Sequence, residues 1–344
     1  MGMQTEIWEQ PSVLARLLAT QQEPIYEIAA AIRPRRIQYV LIAARGTSDN
    51  AARYGQYLLG ACNRLPVALA TPSLFSVYRQ PPCLQGSLVI GISQSGQSPD
   101  IVAVLEEARR QGVPTLTISN DPASPLAAQA DHVIPLQTGE EKAVAATKTY
   151  TAQLAALALL SCALADDSDR LEALLRIPQA VEQVLRGEER IAQAVERYRY
   201  MEACIVLGRG YNYATAFEIA LKLKELTSLI VESYSSADFM HGPIAIIGSG
   251  FPAMILAPSG KMGDSMYRFG LELKSRGAEL LVVSDRQELL AEAVTPLPLP
   301  HGIAEWLSPL VAVIPGQLFA FHLAQLKGYN PDQPAGLQKV TLTR

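Results

Sequence analysis

In the stretch AFEIALKLKEL, Glu218, Lys222 and Glu225 fall at i, i+4 and i+7, so a helix would carry all three on one face. Two carboxylates around one amine can move protons if apolar neighbours shelter them, and Ala216, Ala220, Leu221 and Leu223 are candidates for that shelter. The same spacing also builds an ordinary ion-pair ladder on a solvated face. His241, in DFMHGPIAII, precedes a Gly-Pro pair that forces a turn, so its ring sits on a loop either as an acid/base or simply exposed. Near the chain end, PDQPAGLQKVTLTR holds one lysine, Lys339, which by itself reads as a solvated terminal residue.

A second set of residues could hold an anion. GISQSGQSPD leaves an apolar run and at once lays down Ser93, Gln94, Ser95, Gly96 and Ser98; AARGTSDNAA places Thr47 and Ser48 after another such run. At the carboxyl end of a parallel strand, where a helix begins, backbone N–H groups and the helix dipole favour negative charge, and small hydroxyls complete a phosphate cradle. Helix capping and turn closure alone also account for these residues. GEEKAVAATKTYTAQ reads as the start of a helix, with Glu140 and Glu141 complementing its dipole.

These turns need strands and helices to position them. IQYVLIAA (37–44), SLVIGIS (87–93), PTLTIS (114–119), ACIVLG (203–208), PAMILAP (252–258) and ELLVVS (279–284) are apolar on both faces and alternate with helix-length segments. That pattern predicts parallel strands with crossover helices, a doubly wound α/β architecture. Arg45-Gly46 recurs as Arg209-Gly210 and Ser95-Gly96 as Ser259-Gly260, each 164 positions on; Gly112 recurs as Gly277 and Ser119 as Ser284, each 165 on. A constant offset through four landmarks predicts two copies of one unit. The sibling turns, Gly210 to Tyr213 and Pro258 to Lys261, are poorer in hydroxyls, which suggests that only the first copy kept an anion site. The expected layout is a helical arm over 1–30, a first domain over 31–165, a helical linker over 166–197, a second domain over 198–330, and an irregular tail over 331–344 able to close as a lid.

Composition bounds the partners. With 344 residues, 49% apolar, 18% charged and a net charge of −4, the chain is globular and has no general reason to bind nucleic acid or acidic membranes. The four cysteines, Cys62, Cys83, Cys162 and Cys204, lack metal or CxxC spacing and read as buried thiols in a reducing cytoplasm. The amino terminus carries acids and no apolar segment, so a secretory signal is not expected. Trp306 to Leu326 runs 21 residues without formal charge, but prolines, Gly316, glutamines and His322 interrupt it, which favours a buried helix or a subunit interface over a membrane span.

EIWEQP, ARGTS, SQSGQS, VAATKTYTAQ, LGRG, EIALKLKE, MHGP and DQPAGLQK together resemble the sugar isomerase (SIS) family. The order matches its paired-domain members: the isomerase half of glucosamine-6-phosphate synthase and the stand-alone deaminases and isomerases. The resemblance implies two tandem flavodoxin-like domains and aldose-ketose chemistry on a sugar phosphate, with no metal or organic cofactor. Thr47, Ser48, Ser93, Gln94, Ser95 and Ser98 would then hold the phosphate. Glu225 matches the base that shuttles the C1/C2 proton, with Lys222 and Glu218 supporting it. His241 matches the ring-opening acid/base, supplied by the neighbouring subunit of a homodimer, and Lys339 matches the lysine that forms an imine with the open-chain keto sugar.

Three positions depart from the family pattern. Arg45 replaces a cysteine, Met240 a lysine and Ala335 an arginine. The glutamine-hydrolysing domain of the synthase has no counterpart in these residues, which favours free ammonium and deamination of glucosamine 6-phosphate to fructose 6-phosphate. Alternatives are an aldose-ketose isomerase or deglycase acting on another sugar phosphate and, from another class, a sugar-phosphate sensor without catalysis.

Overall fold

The computed structural model describes residues 2–339. It divides into two compact units. An amino-terminal unit comprises residues 12–141, 148–175 and the described tail from Gln338; a carboxyl-terminal unit comprises the segment up to Pro11, 142–147 and 176–337. Of the tail expected to act as a lid, 340–344 lies outside the described residues.

The amino-terminal unit holds an all-parallel sheet of β1 (Tyr39–Ala43), β2 (Val67–Leu69), β3 (Ser87–Ser93), β4 (Thr115–Ser119) and β5 (His132–Pro135), ordered β2-β1-β3-β4-β5. Every residue of β3 and β4 is buried, as strands covered on both faces by crossover helices require. Gly91 is fixed by packing: a Cβ there would lie 2.8 Å from Leu105 on the helix Pro99–Arg110. The carboxyl-terminal unit repeats the plan with β6 (Ala203–Gly208), β7 (Ile230–Ser235), β8 (Pro252–Leu256), β9 (Glu279–Ser284) and β10 (Thr295–Pro298), ordered β7-β6-β8-β9-β10. The 164-residue repeat is therefore a repeat of topology. In each sheet the strand order reverses between the first and third strands, and open α/β sheets bind ligands at such a switch point.

The six strands expected from the sequence are present with small trims at their ends; the four others, β2, β5, β7 and β10, were not expected. Helices Met3–Trp8 and Gln10–Ile32 form the amino-terminal arm, and three short helices, Ser168–Leu175, Ile177–Leu185 and Glu188–Ala194, precede β6. The uncharged run becomes the helix Ser308–Leu326, 94% of whose most apolar window is buried, packed in its own unit against the helix Asn212–Thr227. This helix forms core rather than a span. The cysteine expectation holds in part: Cys162 and Cys204 are buried, but Cys62 is half-buried and Cys83 is exposed, because it lies in a surface loop before β3.

Candidate functional site

In the amino-terminal unit the two hydroxyl-rich turns follow β1 and β3, the two strands that flank the switch point. The turn after β3 is pinned from within and from the side. Ser93 Oγ accepts the Gly96 N–H at 3.0 Å and Ser95 Oγ accepts that of Gln97 at 3.3 Å. Asn120 N–H donates to the Gln94 carbonyl at 3.2 Å, and Leu126 N–H to that of Gly96 at 3.1 Å. Gly96 has φ +63°, and a Cβ on it would lie 2.1 Å from Ser124 Oγ, so the turn requires glycine. Simple capping does not explain the remaining hydroxyl. Ser98 occupies the N-cap of the helix Pro99–Arg110, yet its side chain makes no capping bond.

Thr47 and Ser48 open the helix Thr47–Asn63, whose N-cap is Gly46. Ser48 Oγ accepts Gln153 Nε2 at 2.9 Å, tying this turn to the buried helix Lys148–Ala165. Arg45 has a partner that sequence reasoning missed, although Asp100 stands within GISQSGQSPD. Its Nε lies 2.7 Å from Asp100 Oδ2, a carboxylate only 1% exposed, so the loops after β1 and β3 are braced together. Asp49, in the first turn of the same helix, has its carboxyl raised above the usual range by burial, against the pull of Arg53 at 3.2 Å.

The sibling turn of the carboxyl-terminal unit already holds an anion of its own. Glu305 Oε2 accepts the Lys261 N–H at 2.8 Å and Oε1 that of Met262 at 3.0 Å, at the start of the helix Gly263–Ser275. Glu305 stands 164 positions after Glu141. Glu141 accepts Thr149 N–H at 3.1 Å and Thr149 Oγ1–H at 2.6 Å, capping the helix Lys148–Ala165. A built-in carboxylate closes the second turn, and its counterpart caps a helix of the first unit.

Glu141 also meets Lys339, whose Nζ lies 3.3 Å from Oε2. The tail lysine is therefore only partly exposed, and the solvated reading fails. Glu140 contributes its backbone carbonyl, to which Lys148 Nζ donates at 2.7 Å.

In the carboxyl-terminal unit, Glu218, Lys222 and Glu225 line up along the helix Asn212–Thr227. The solvated-ladder reading fails here too, because that helix packs on β6, β7 and the helix Ser308–Leu326. Lys222 and Glu218 are fully buried with Nζ 3.5 Å from Glu218 Oε1, and Nζ lies 2.6 Å from Glu225 Oε2, whose side chain is 23% exposed. The second pair is held by charge at contact distance rather than by an aligned hydrogen bond. A buried ammonium is tolerable only when paired, and here it is paired on both sides. The outcome is one carboxylate at an accessible edge, fixed from behind by an immobile cation. His241 ends the short helix Ser236–Met240 and is exposed; its backbone N–H donates to Asp238 at 3.0 Å, and its ring has no hydrogen-bond partner among the described residues.

Comparison with known proteins agrees with this architecture. Residues 35–163 and 202–326 each match the SIS domain. Glutamine--fructose-6-phosphate aminotransferase [isomerizing] of Thermus thermophilus is 35% identical over 98% of this chain, which spans only 58% of that relative's length. A Silicibacter pomeroyi structure assigned provisionally as a phosphosugar isomerase is 32% identical, with TM-score 0.87 over 96% of this chain and 100% of its own. The C-terminal domain of the corresponding Francisella tularensis aminotransferase is 29% identical, with TM-score 0.84 over 96% and 98%. Two SIS domains covering well over half of its length place this chain in the SIS family.

Proposed function

We propose that this protein is a phosphosugar isomerase that deaminates glucosamine 6-phosphate, giving fructose 6-phosphate and ammonia. The observation that carries the reading is the Glu225 carboxylate, partly exposed and backed by the fully buried Lys222. A base that takes a proton from carbon must be accessible and held still, and this pair supplies both properties.

Each step has a residue suited to it. The turns at Thr47 and Ser48 and at Ser93 to Ser98 hold the phosphate on hydroxyls and helix-start amides. His241 passes a proton between the ring oxygen and the C1 hydroxyl, opening the pyranose to the aldehyde. Glu225 removes the C2 proton and returns it to C1, converting the 2-amino aldehyde through an enolamine to the C2 imine of fructose 6-phosphate. Lys339 displaces ammonia from that imine as its own Schiff base, and one water then releases the ketone and regenerates the amine. The balance is glucosamine 6-phosphate plus water to fructose 6-phosphate plus ammonia. Lys222 and Glu218 are positioning residues. The exposed ring of His241 supports its donation to a neighbouring copy in a homodimer, and a cytoplasmic setting completes the proposal.

The test is ammonia release from the purified protein given glucosamine 6-phosphate, with fructose 6-phosphate followed in a coupled assay. N-acetylglucosamine 6-phosphate and galactosamine 6-phosphate run beside it. Ammonia and fructose 6-phosphate appearing in equal amounts is the expected result. Isomerisation without ammonia would move the reading to an aldose-ketose isomerase, and binding without turnover would move it to a sensor.

A further inference from the structure

The amino edge of the first sheet carries a cavity that none of the residues above uses. It has a volume of about 340 Å³ and is lined by Arg33, Arg36 and Arg64 together with Ile37, Leu88 and Leu164. Leu88 is the second residue of β3 and Ile37 precedes β1, whereas the hydroxyl-rich turns follow the last residues of those strands, so the two places lie at opposite edges of one sheet.

We infer that this cavity binds a phosphomonoester of about mononucleotide size, with its phosphate on the three arginines and its apolar or aromatic part on Ile37, Leu88 and Leu164. Three observations converge. None of the three guanidinium groups forms an ion pair with a carboxylate among the described residues, in a chain whose net charge is −4. Arg33 is held in place, its Nη2 donating to the Ala163 carbonyl at 3.0 Å, which leaves its other donors for a ligand.

Arg36 and Arg64 also occupy left-handed backbone, at φ +49° and +58°, directly after a short 3₁₀ turn and the helix Thr47–Asn63. Glycine is the usual residue at such positions, so arginine stands there at a conformational cost. Guanidinium forks match phosphate oxygens, and a phosphomonoester brings nearly two negative charges at neutral pH where a carboxylate brings one. The volume suits a small ligand, since ligand pockets run from about 300 to 1,000 Å³.

The test is calorimetric titration of the full chain with AMP, inorganic phosphate and fructose 6-phosphate. It is repeated on the Arg36→Gly/Arg64→Gly double variant, whose glycines suit the left-handed backbone and keep the fold, and on Arg33→Gln. Expected are saturable AMP binding tighter than that of inorganic phosphate, at least tenfold weaker AMP binding in the double variant, and a smaller loss in Arg33→Gln. Fructose 6-phosphate binding should stay within twofold of wild type, because its turns lie at the other edge. No saturable AMP binding, AMP affinity unchanged within twofold in the double variant, inorganic phosphate binding as tightly as AMP, or displacement of AMP by fructose 6-phosphate would each overturn the inference.

Discussion

Glu141 and Lys339, 198 positions apart in the chain, meet with Nζ 3.3 Å from Oε2. The carboxylate is fully buried and already bound by Thr149, so the tail lysine docks on a fixed anchor. If Lys339 forms the imine, borohydride added with fructose 6-phosphate should trap a covalent sugar phosphate on that residue, read by peptide mass spectrometry. Lys339→Met should show no adduct, at a cost in stability limited by the Thr149 bonds that the buried Glu141 keeps. An adduct of equal yield in that variant would remove Lys339 from the chemistry.

Glu305 does for the second unit's turn what a ligand would do for the first. Glu305→Ala should orphan the Lys261 and Met262 amides and cost about 1–2 kcal/mol in urea unfolding, the scale of a lost cap. The KM for the sugar phosphate should not change, because the turns proposed to hold the phosphate lie in the other unit. A stability within about 0.3 kcal/mol of wild type would show that the carboxylate is not what closes this turn.

Lys222 is the support of the proposed base. Lys222→Ala leaves Glu218 buried without its cation and should destabilise by about 3–5 kcal/mol, with kcat falling at least tenfold in whatever protein folds. Wild-type kcat in this variant would mean that Glu225 needs no cation behind it.

Burial pushes the thiols of Cys162 and Cys204 up to about 12. In the unfolded chain a thiol ionises near about 8.5, so this contribution to stability is complete below that pH. Above it the unfolded state ionises first, and stability should fall by about 1.4 kcal/mol per pH unit per thiol as pH rises toward 12. Native-state alkylation at pH 8 should label Cys83 first and Cys62 next, leaving Cys162 and Cys204 unlabelled. Early labelling of Cys204 would contradict that burial.

The four strands that the sequence did not reveal are the four edge strands of the two sheets. Interior strands such as β3 are covered on both faces and read as unbroken apolar runs. An edge strand need not be: β2 has two half-covered residues and an exposed Ala68, β5 and β10 carry proline, and β7 buries only Val231 of its six residues. The site shows the same division. The serine turns and the Glu-Lys-Glu spacing are local and legible. Whether that spacing is solvated or buried depends on the helix Ser308–Leu326, which no local pattern shows packing there. The pairings Glu141 with Lys339 and Arg45 with Asp100 likewise exist only once the chain has folded.

In the proposed reaction Glu225 moves the proton between C1 and C2. The direct measurement is exchange of a C1 proton of fructose 6-phosphate with solvent deuterium, followed by NMR for wild type and Glu225→Gln, because it needs neither ammonia nor a chosen amino sugar. Stereospecific exchange by the wild type, slowed by a factor of about 10² or more in the variant, is the expected result. Exchange at the wild-type rate in Glu225→Gln would contradict the account.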